Sequence, residues 1–134
     1  MKITRLALVG ALFAGLALGQ SGAQSAALVA FPGNGEAPYH PTAVVSGNDL
    51  TFVQLDPVAA HNVVASKTDN KARAWCGSGK PFAASACPLF YSGAPVEAGA
   101  VQTVTGVSNL AAGSYEFYCS LHKGRGQIGT LTVV

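Results

Sequence analysis

The stretch YCSLHKGRGQIG at residues 118–129 decides how the rest of the chain is interpreted. It follows an aromatic run typical of a strand and leads into a second apolar run, so it reads as a Gly-rich loop between two strands. A thiol at Cys119, an imidazole at His122 and an amide at Gln127 lie within this loop and can converge on one point. A cysteine and a histidine together suit a transition metal. The loop therefore predicts a metal site near the C-terminal end of a β-structure.

Short strands separated by turn signals continue outward from this loop over most of the chain. No helical period is sustained beyond a few residues, and the 16 glycines and seven prolines suit short strands joined by turns. The segment from Lys67 to Pro88 is irregular and is expected to hold a short helix or an excursion over the sheets. We predict an all-β Greek-key sandwich of about eight strands, namely Ala26–Phe31, Pro41–Ser46, Leu50–Leu55, His61–Ser66, Leu89–Tyr91, Val101–Val107, Ser114–Tyr118 and Ile128–Val134.

The composition limits the classes of protein to which the chain can belong. At 134 residues, 49% hydrophobic, it has the length of one domain, and no internal repeat or linker divides it. Only 10% of its residues are charged, against about 25% in average soluble domains. Such a chain is neither disordered nor a polyelectrolyte, so we expect no nucleic-acid partner.

The first residues have the pattern of an export signal. A basic start with Lys2 and Arg5 precedes the 13-residue apolar run Leu6 to Leu18, and small residues follow. We expect a signal peptide over residues 1–23, cleaved after Ala23 or alternatively after Gly19, and a single domain over 24–134. A retained anchor is the alternative, but 13 residues of helix are too short to cross a hydrocarbon core of about 30 Å. Cleavage after Ala23 leaves a periplasmic or extracellular chain with six basic and six acidic residues.

The three cysteines differ in their surroundings. Cys76 and Cys87 lie in the Gly- and Ser-rich stretch WCGSGKPFAASAC at residues 75–87, whereas Cys119 follows an aromatic strand. In an oxidising compartment we expect a Cys76–Cys87 disulfide, which closes a short loop and contributes about 3 kcal/mol in the chain-entropy model. The alternative is a pair of free buried thiols.

Cys119 is then left as a lone thiol in an exported protein. A metal bound to the thiolate would explain why it stays reduced. A further ligand would be a histidine, and the chain offers His40 and His61 outside the loop. His61 is the better candidate because it stands where a loop meets a strand, in DPVAAHNVV at residues 56–64. His40, in PYHP at residues 38–41, is expected in an exposed loop.

These residues resemble a known family, the blue copper proteins or cupredoxins, and most closely its plastocyanin-like members. That family has a His-Asn-Val strand start and a C-terminal loop of the form Tyr-x-Cys-Ser-x-His-x-Gly-x-Gly-Met-x-Gly. Here the corresponding segments are HNV at residues 61–63 and FYCSLHKGRGQIG at residues 117–129, with the same loop length. The likeness extends more loosely over residues 26–134, except for residues 67–100.

The resemblance implies one type 1 copper ion per chain, with His61, Cys119 and His122 as its three principal ligands. It also implies that Asn62 links the two ligand-bearing loops by hydrogen bonding near Ser120. The family's usual axial methionine is replaced here by Gln127. The stellacyanins are similar in having an axial glutamine. Gln127 either coordinates through its amide oxygen or turns away and leaves three ligands.

The same resemblance implies the function. We expect an exported electron-transfer protein that cycles between Cu(I) and Cu(II), is not an enzyme, and spans no membrane once mature. It would be a monomer that meets redox protein partners transiently, through the edge of His122 and an uncharged rim that contains Leu121, Ala59 and Ala60. Lys123 and Arg125 could add a small positive rim that steers an acidic partner; the alternative is that these two charges form only a solvated loop. The alternatives are a copper-binding or delivery protein without a redox role, and a zinc site.

Overall fold

The computed structural model describes residues 26–134; the predicted signal peptide, residues 1–23, lies outside the described residues. Three single-turn 3-10 helices lie at Ala84–Ala86, Val107–Asn109 and Lys123–Arg125. Within the described part, no helix is long and apolar enough to cross a membrane. The nine strands are β1 (Ala26–Ala30), β2 (Thr42–Val44), β3 (Leu50–Gln54), β4 (Val64–Ala65), β5 (Thr68–Asp69), β6 (Cys87–Pro88), β7 (Val101–Val104), β8 (Gly113–Tyr118) and β9 (Ile128–Val133).

Two sheets form the sandwich. One has the order β1-β3-β7 and the other β2-β9-β8-β4, while β5 and β6 form a small separate pair. The chain changes sheets between β1 and β2, because β1 pairs with β3 in the first sheet and β2 pairs with β9 in the second. Both of these pairs are parallel. In β9 exposed and buried residues alternate, which is the pattern of a strand with one face on the core. The prediction of an all-β sandwich is confirmed.

The core lies between the two sheets and is built from aromatic and branched side chains. Phe52, Phe90 and Phe117 are fully buried there. Gly129 allows Phe117 to approach β9, because a Cβ at this glycine would lie 2.5 Å from the Phe117 ring and 2.9 Å from Tyr39 Cβ. The glycine that closes the C-terminal loop motif is thus required for packing.

Two of the predicted strands differ from the structure. The strand expected at His61–Ser66 is reduced to β4, and His61 itself forms an isolated bridge to Val96. The strand expected at Leu89–Tyr91 is absent, and the nearest strand is β6.

Residues 89–92 nevertheless make strand-like backbone contacts on both sides. Ala65 N–H donates to the carbonyl of Phe90, whereas Tyr91 exchanges backbone bonds with Thr105 on the other side. Tyr91 forms single bridges to Val64 and to Thr105, and neither bridge extends into a continuous ladder.

The irregular segment between β4 and β7 is held by one covalent link. A disulfide joins Cys76 to Cys87, with the Cα atoms 5.7 Å apart. The indole N–H of Trp75 donates to the carbonyl of Pro88 at 2.9 Å, next to the bridge. The segment holds the β5–β6 pair and a single 3-10 turn. Of the two alternatives that the sequence left open for it, the short helix corresponds to this 3-10 turn, Ala84–Ala86.

Candidate metal centre

His61, Cys119 and His122 meet at one end of the sandwich. Their potential ligand atoms all lie within 4.8 Å of one another. His61 precedes β4 and Cys119 follows β8, and these strands are antiparallel neighbours with Val64 opposite Tyr118. Strand pairing therefore brings together two side chains that are far apart in sequence. Among residues 26–134, this is the one group of three or more His, Cys, Asp and Glu side chains suited to hold a metal ion.

The loop after β8 closes on itself and returns Gln127 to the side of Cys119. Cys119 N–H donates to the carbonyl of Gln127, and Gln127 N–H donates to the carbonyl of His122, both at 3.2 Å. Gly126 takes a φ of 88°, a left-handed conformation that glycine adopts without steric cost. The compact loop thus brings together the side chains of Cys119, His122 and Gln127, each of which has an atom that can bind a metal.

The thiol of Cys119 is free and fully buried. Its Sγ lies 3.5 Å from Nδ1 of His122. The other two cysteines are consumed by the disulfide, so Cys119 has no sulfur partner within the described chain. The sulfur of Cys119 is a soft metal ligand, and the imidazole nitrogen beside it is a ligand of intermediate softness. Such a pair suits copper or zinc better than calcium or magnesium, which prefer oxygen.

Gln127 is fully buried and its amide has a defined orientation. Its Nε2 donates to the carbonyls of Gly35 and Ala37, both at 2.9 Å. Only the NH₂ group can donate to two carbonyl oxygens, so the two ends of the amide cannot be exchanged. Its Oε1 consequently faces the histidines, 2.9 Å from Nδ1 of His61 and 2.8 Å from Nδ1 of His122.

Asn62 connects the segment that carries His61 to the loop that carries Cys119. Its Oδ1 accepts hydrogen bonds from the backbone N–H and the hydroxyl of Ser120, at 2.8 and 3.1 Å. The hydroxyl of Tyr39 donates to the Asn62 carbonyl at 2.9 Å. Burial and the neighbouring Cys119 raise the pKa of Tyr39, so it stays a protonated donor. These contacts fix the segment that carries His61 and the loop that carries Cys119 relative to each other.

Asp56 is a site residue that the sequence analysis missed. Its side chain is fully buried, and its Oδ2 lies 2.8 Å from Nε2 of His61. Burial opposes ionisation, but hydrogen bonds outweigh it and lower the pKa of Asp56 to about 2. The donors are the ring of His61 and the backbone N–H groups of Val58, Gly35 and Gly33. An ionised carboxylate can only accept, so with Asp56 ionised the hydrogen of this contact lies on Nε2 of His61.

The sequence held one weak sign of Asp56. It follows β3 within an apolar stretch, in LDPV at residues 55–58, where an isolated acid needs a partner if it is buried. Nothing in the sequence says that this partner is a histidine five residues later.

The remaining predicted positions lie on the surface. His40 is exposed, as expected, and its ring contacts Phe31 instead of the candidate centre. Lys123 lies over the ring of Tyr118 at 4.1 Å. Arg125 forms an ion pair with Glu36, so its charge is neutralised and the positive rim around the loop is smaller than expected.

The sequence was compared with protein-family models and with known proteins. No family model matches the chain. It is 34% identical over 87 residues to a plastocyanin from Nostoc punctiforme, a match that covers 65% of this chain and 56% of that protein. The matched region thus spans little more than half the length of this relative.

Three solved structures share the architecture. Auracyanin B has a TM-score of 0.55 at 23% identity, covering 84% of this chain and 89% of its own. A purple cupredoxin from Nitrosopumilus maritimus has a TM-score of 0.53 at 24% identity, covering 81% and 99%. Amicyanin from Paracoccus versutus has a TM-score of 0.51 at 17% identity, covering 87% of each chain. With the two-sheet topology above, these likenesses show that the chain has the cupredoxin fold.

Proposed function

We propose that this protein is a blue copper electron carrier that holds one copper ion through His61, Cys119 and His122. The observation that carries the proposal is the convergence of two imidazoles and a buried thiol within 4.8 Å. Two histidines and one cysteine, with a weak further ligand, are the donor set of blue copper electron-transfer sites. The sequence likeness to a plastocyanin supports the same assignment.

Gln127 is proposed as the further ligand, through its amide oxygen. In support, the two carbonyls of Gly35 and Ala37 hold its Nε2 on the far side and direct its Oε1 toward both histidines. The alternative, an amide turned away from the metal, would require Nε2 to give up both hydrogen bonds. Losing two such bonds costs about 1–3 kcal/mol.

Bound copper would supply one-electron exchange between Cu(I) and Cu(II). The chain's own residues would keep the ligands in place during that exchange, because His61 and Cys119 are fully buried and the Asn62–Ser120 contacts join their loops. His122 is only partly buried, so its ring edge would serve as the port for electrons. No bond of a substrate is made or broken, and the protein is proposed as a carrier, not an enzyme.

The surface around the port suits brief contacts with a redox protein partner. Leu121 is 57% exposed and Val58 is 76% exposed, and both lie next to segments that carry site residues. Small apolar contacts of this kind give weak, short-lived complexes. A monomer that acts in the periplasm or outside the cell, after loss of residues 1–23, is part of the proposal. The Cys76–Cys87 disulfide fits such an oxidising compartment.

An optical titration separates this proposal from its alternatives. Metal-free protein is titrated with Cu(II) and, in parallel, with Zn(II), and the copper-loaded sample is then challenged with a chelator. A carrier is expected to turn intensely blue at one copper per chain and to keep the metal. Prompt loss of copper to the chelator, with little reversible redox activity, would indicate a delivery protein. A preference for zinc with no blue copper form would indicate a zinc site.

A further inference from the structure

Behind the candidate centre, on the far side of the His61 ring, lies the buried carboxylate of Asp56. Each of its two oxygens has two hydrogen-bond partners. Oδ1 accepts from the N–H groups of Gly33 at 3.3 Å and Val58 at 3.0 Å. Oδ2 accepts from Gly35 N–H and from His61 Nε2, both at 2.8 Å. Among residues 26–134, no lysine or arginine forms an ion pair with it.

Gly35 connects this carboxylate to a second member of the centre. Its N–H donates to Asp56 at 2.8 Å, and its carbonyl accepts from Nε2 of Gln127 at 2.9 Å. Oε1 of Gln127 in turn lies 2.9 Å from Nδ1 of His61, so three hydrogen bonds and this one contact between two proposed metal-binding atoms link the four residues in a ring. Asp56 is the one charged member of this ring, and it holds the backbone against which Gln127 is oriented.

We propose that Asp56 is a positioning residue of the copper centre: it fixes the ring of His61 directly and the amide of Gln127 through Gly35, and its buried charge favours Cu(II) over Cu(I). This inference rests on the proposed function. A hydrogen on Nε2 leaves Nδ1, which faces the centre, as the nitrogen available to a metal.

Three backbone N–H groups and the His61 ring surround the two oxygens of Asp56, which is the setting of an ionised carboxylate. Cu(II), a thiolate at Cys119 and an ionised Asp56 would sum to zero, whereas Cu(I) with the same two groups would leave one uncompensated negative charge. A buried net charge is unfavourable because the protein interior solvates it poorly. Asp56 should therefore lower the reduction potential, in addition to any effect of Gln127.

The direct test is Asp56→Asn, which keeps the size of the side chain and removes the charge. An amide has one accepting oxygen, so it can serve either the Gly33 and Val58 side or the Gly35 and His61 side, but not both. We expect a higher reduction potential, a shifted blue absorption band, and a Cu(II) affinity reduced about 10–100-fold. Cu(I) affinity should fall less.

Two further variants separate charge from structure. Asp69→Asn is the matched control, since Asp69 also accepts hydrogen bonds from a side chain, that of Arg73, and from a backbone N–H, that of Lys71. It should leave the potential and both copper affinities unchanged. Asp56→Glu retains the negative charge and should bring the potential part of the way back from the Asn value toward that of the wild type.

A second measurement serves if Asp56→Asn does not fold. In wild-type protein loaded with Cu(I) and labelled with ¹⁵N-histidine, NMR should show a slowly exchanging hydrogen on Nε2 of His61. A hydrogen on Nδ1, or rapid exchange at Nε2, would overturn the inference.

The inference and the proposed function fail in different ways. If wild-type protein forms no blue copper species, the proposed function is wrong. If the wild type is blue and Asp56→Asn loses stability but keeps its potential and its copper affinities, the function stands and Asp56 has only a structural role.

Discussion

Replacing Gln127 by methionine exchanges a hard oxygen donor for a soft thioether at nearly constant side-chain length. Cu(II) is the harder oxidation state, so an oxygen ligand favours it more than sulfur does. If the lost oxygen contact is comparable to a hydrogen bond to a charged group, about 1.5–3 kcal/mol, Cu(II) loses that much relative to Cu(I). With 59 mV per tenfold change for one electron, the reduction potential should rise by about 60–130 mV.

The same substitution should also weaken the metal-free fold. Methionine cannot donate to the carbonyls of Gly35 and Ala37, which now accept from Nε2 at 2.9 Å. Two lost hydrogen bonds lower the free energy of unfolding by about 1–3 kcal/mol, partly offset by burial of the thioether. Urea unfolding of the metal-free protein measures this loss in the free energy of unfolding, separately from the change in reduction potential.

Voltammetry of the copper-loaded protein is the assay, with Gln102→Met as the control. Gln102 is half-buried on β7, in the other sheet, and should leave the potential unchanged. The Gln127→Met protein should remain blue. A potential that stays the same or falls would mean that Gln127 does not reach the copper, and its proposed role would be withdrawn while those of His61, Cys119 and His122 remain.

Three further predictions concern the thiol, the disulfide and the core. Cys119→Ser should abolish the blue absorption, which needs the thiolate, while circular dichroism shows an intact sandwich; a variant that stays blue would refute the ligand assignment. Intact mass of exported protein, before and after reduction and alkylation, should show an N-terminus near Gln24 and one Cys76–Cys87 bridge; two thiols that alkylate without reduction would contradict it. Gly129→Ala should lower the free energy of unfolding by about 1–3 kcal/mol, because its Cβ would meet the ring of Phe117 at 2.5 Å; unchanged urea unfolding would show that the core adjusts freely.

The fold and the convergence of Cys119, His122 and Gln127 could be predicted because their signals are local. Alternation along β9 and the turn between β8 and β9 lie within about 20 residues, and the donor spacing in YCSLHKGRGQIG is fixed by one loop. The strand expected at Leu89–Tyr91 failed for the opposite reason. Tyr91 makes only isolated bridges to Val64 and Thr105, which are distant in the sequence, and an apolar run does not show how far such pairing extends.

The surroundings of the centre could not be predicted from local pattern. The carbonyls that orient Gln127 belong to Gly35 and Ala37, about 90 residues earlier in the chain. They are backbone atoms, so no side-chain motif marks them. Asp56 is equally inconspicuous, because a single acid near a turn is usually solvated. Its hydrogen bonds from Gly33 and Gly35 form only once the loop before β2 has folded against it.

The measurement that tests the central claim most directly is spectroelectrochemistry of the wild-type protein loaded with one equivalent of copper. The account predicts an intense blue band that bleaches on reduction and returns on oxidation, with one electron per chain and no loss of metal over repeated cycles. A colourless copper form, or a band that disappears as copper is released on reduction, would contradict it.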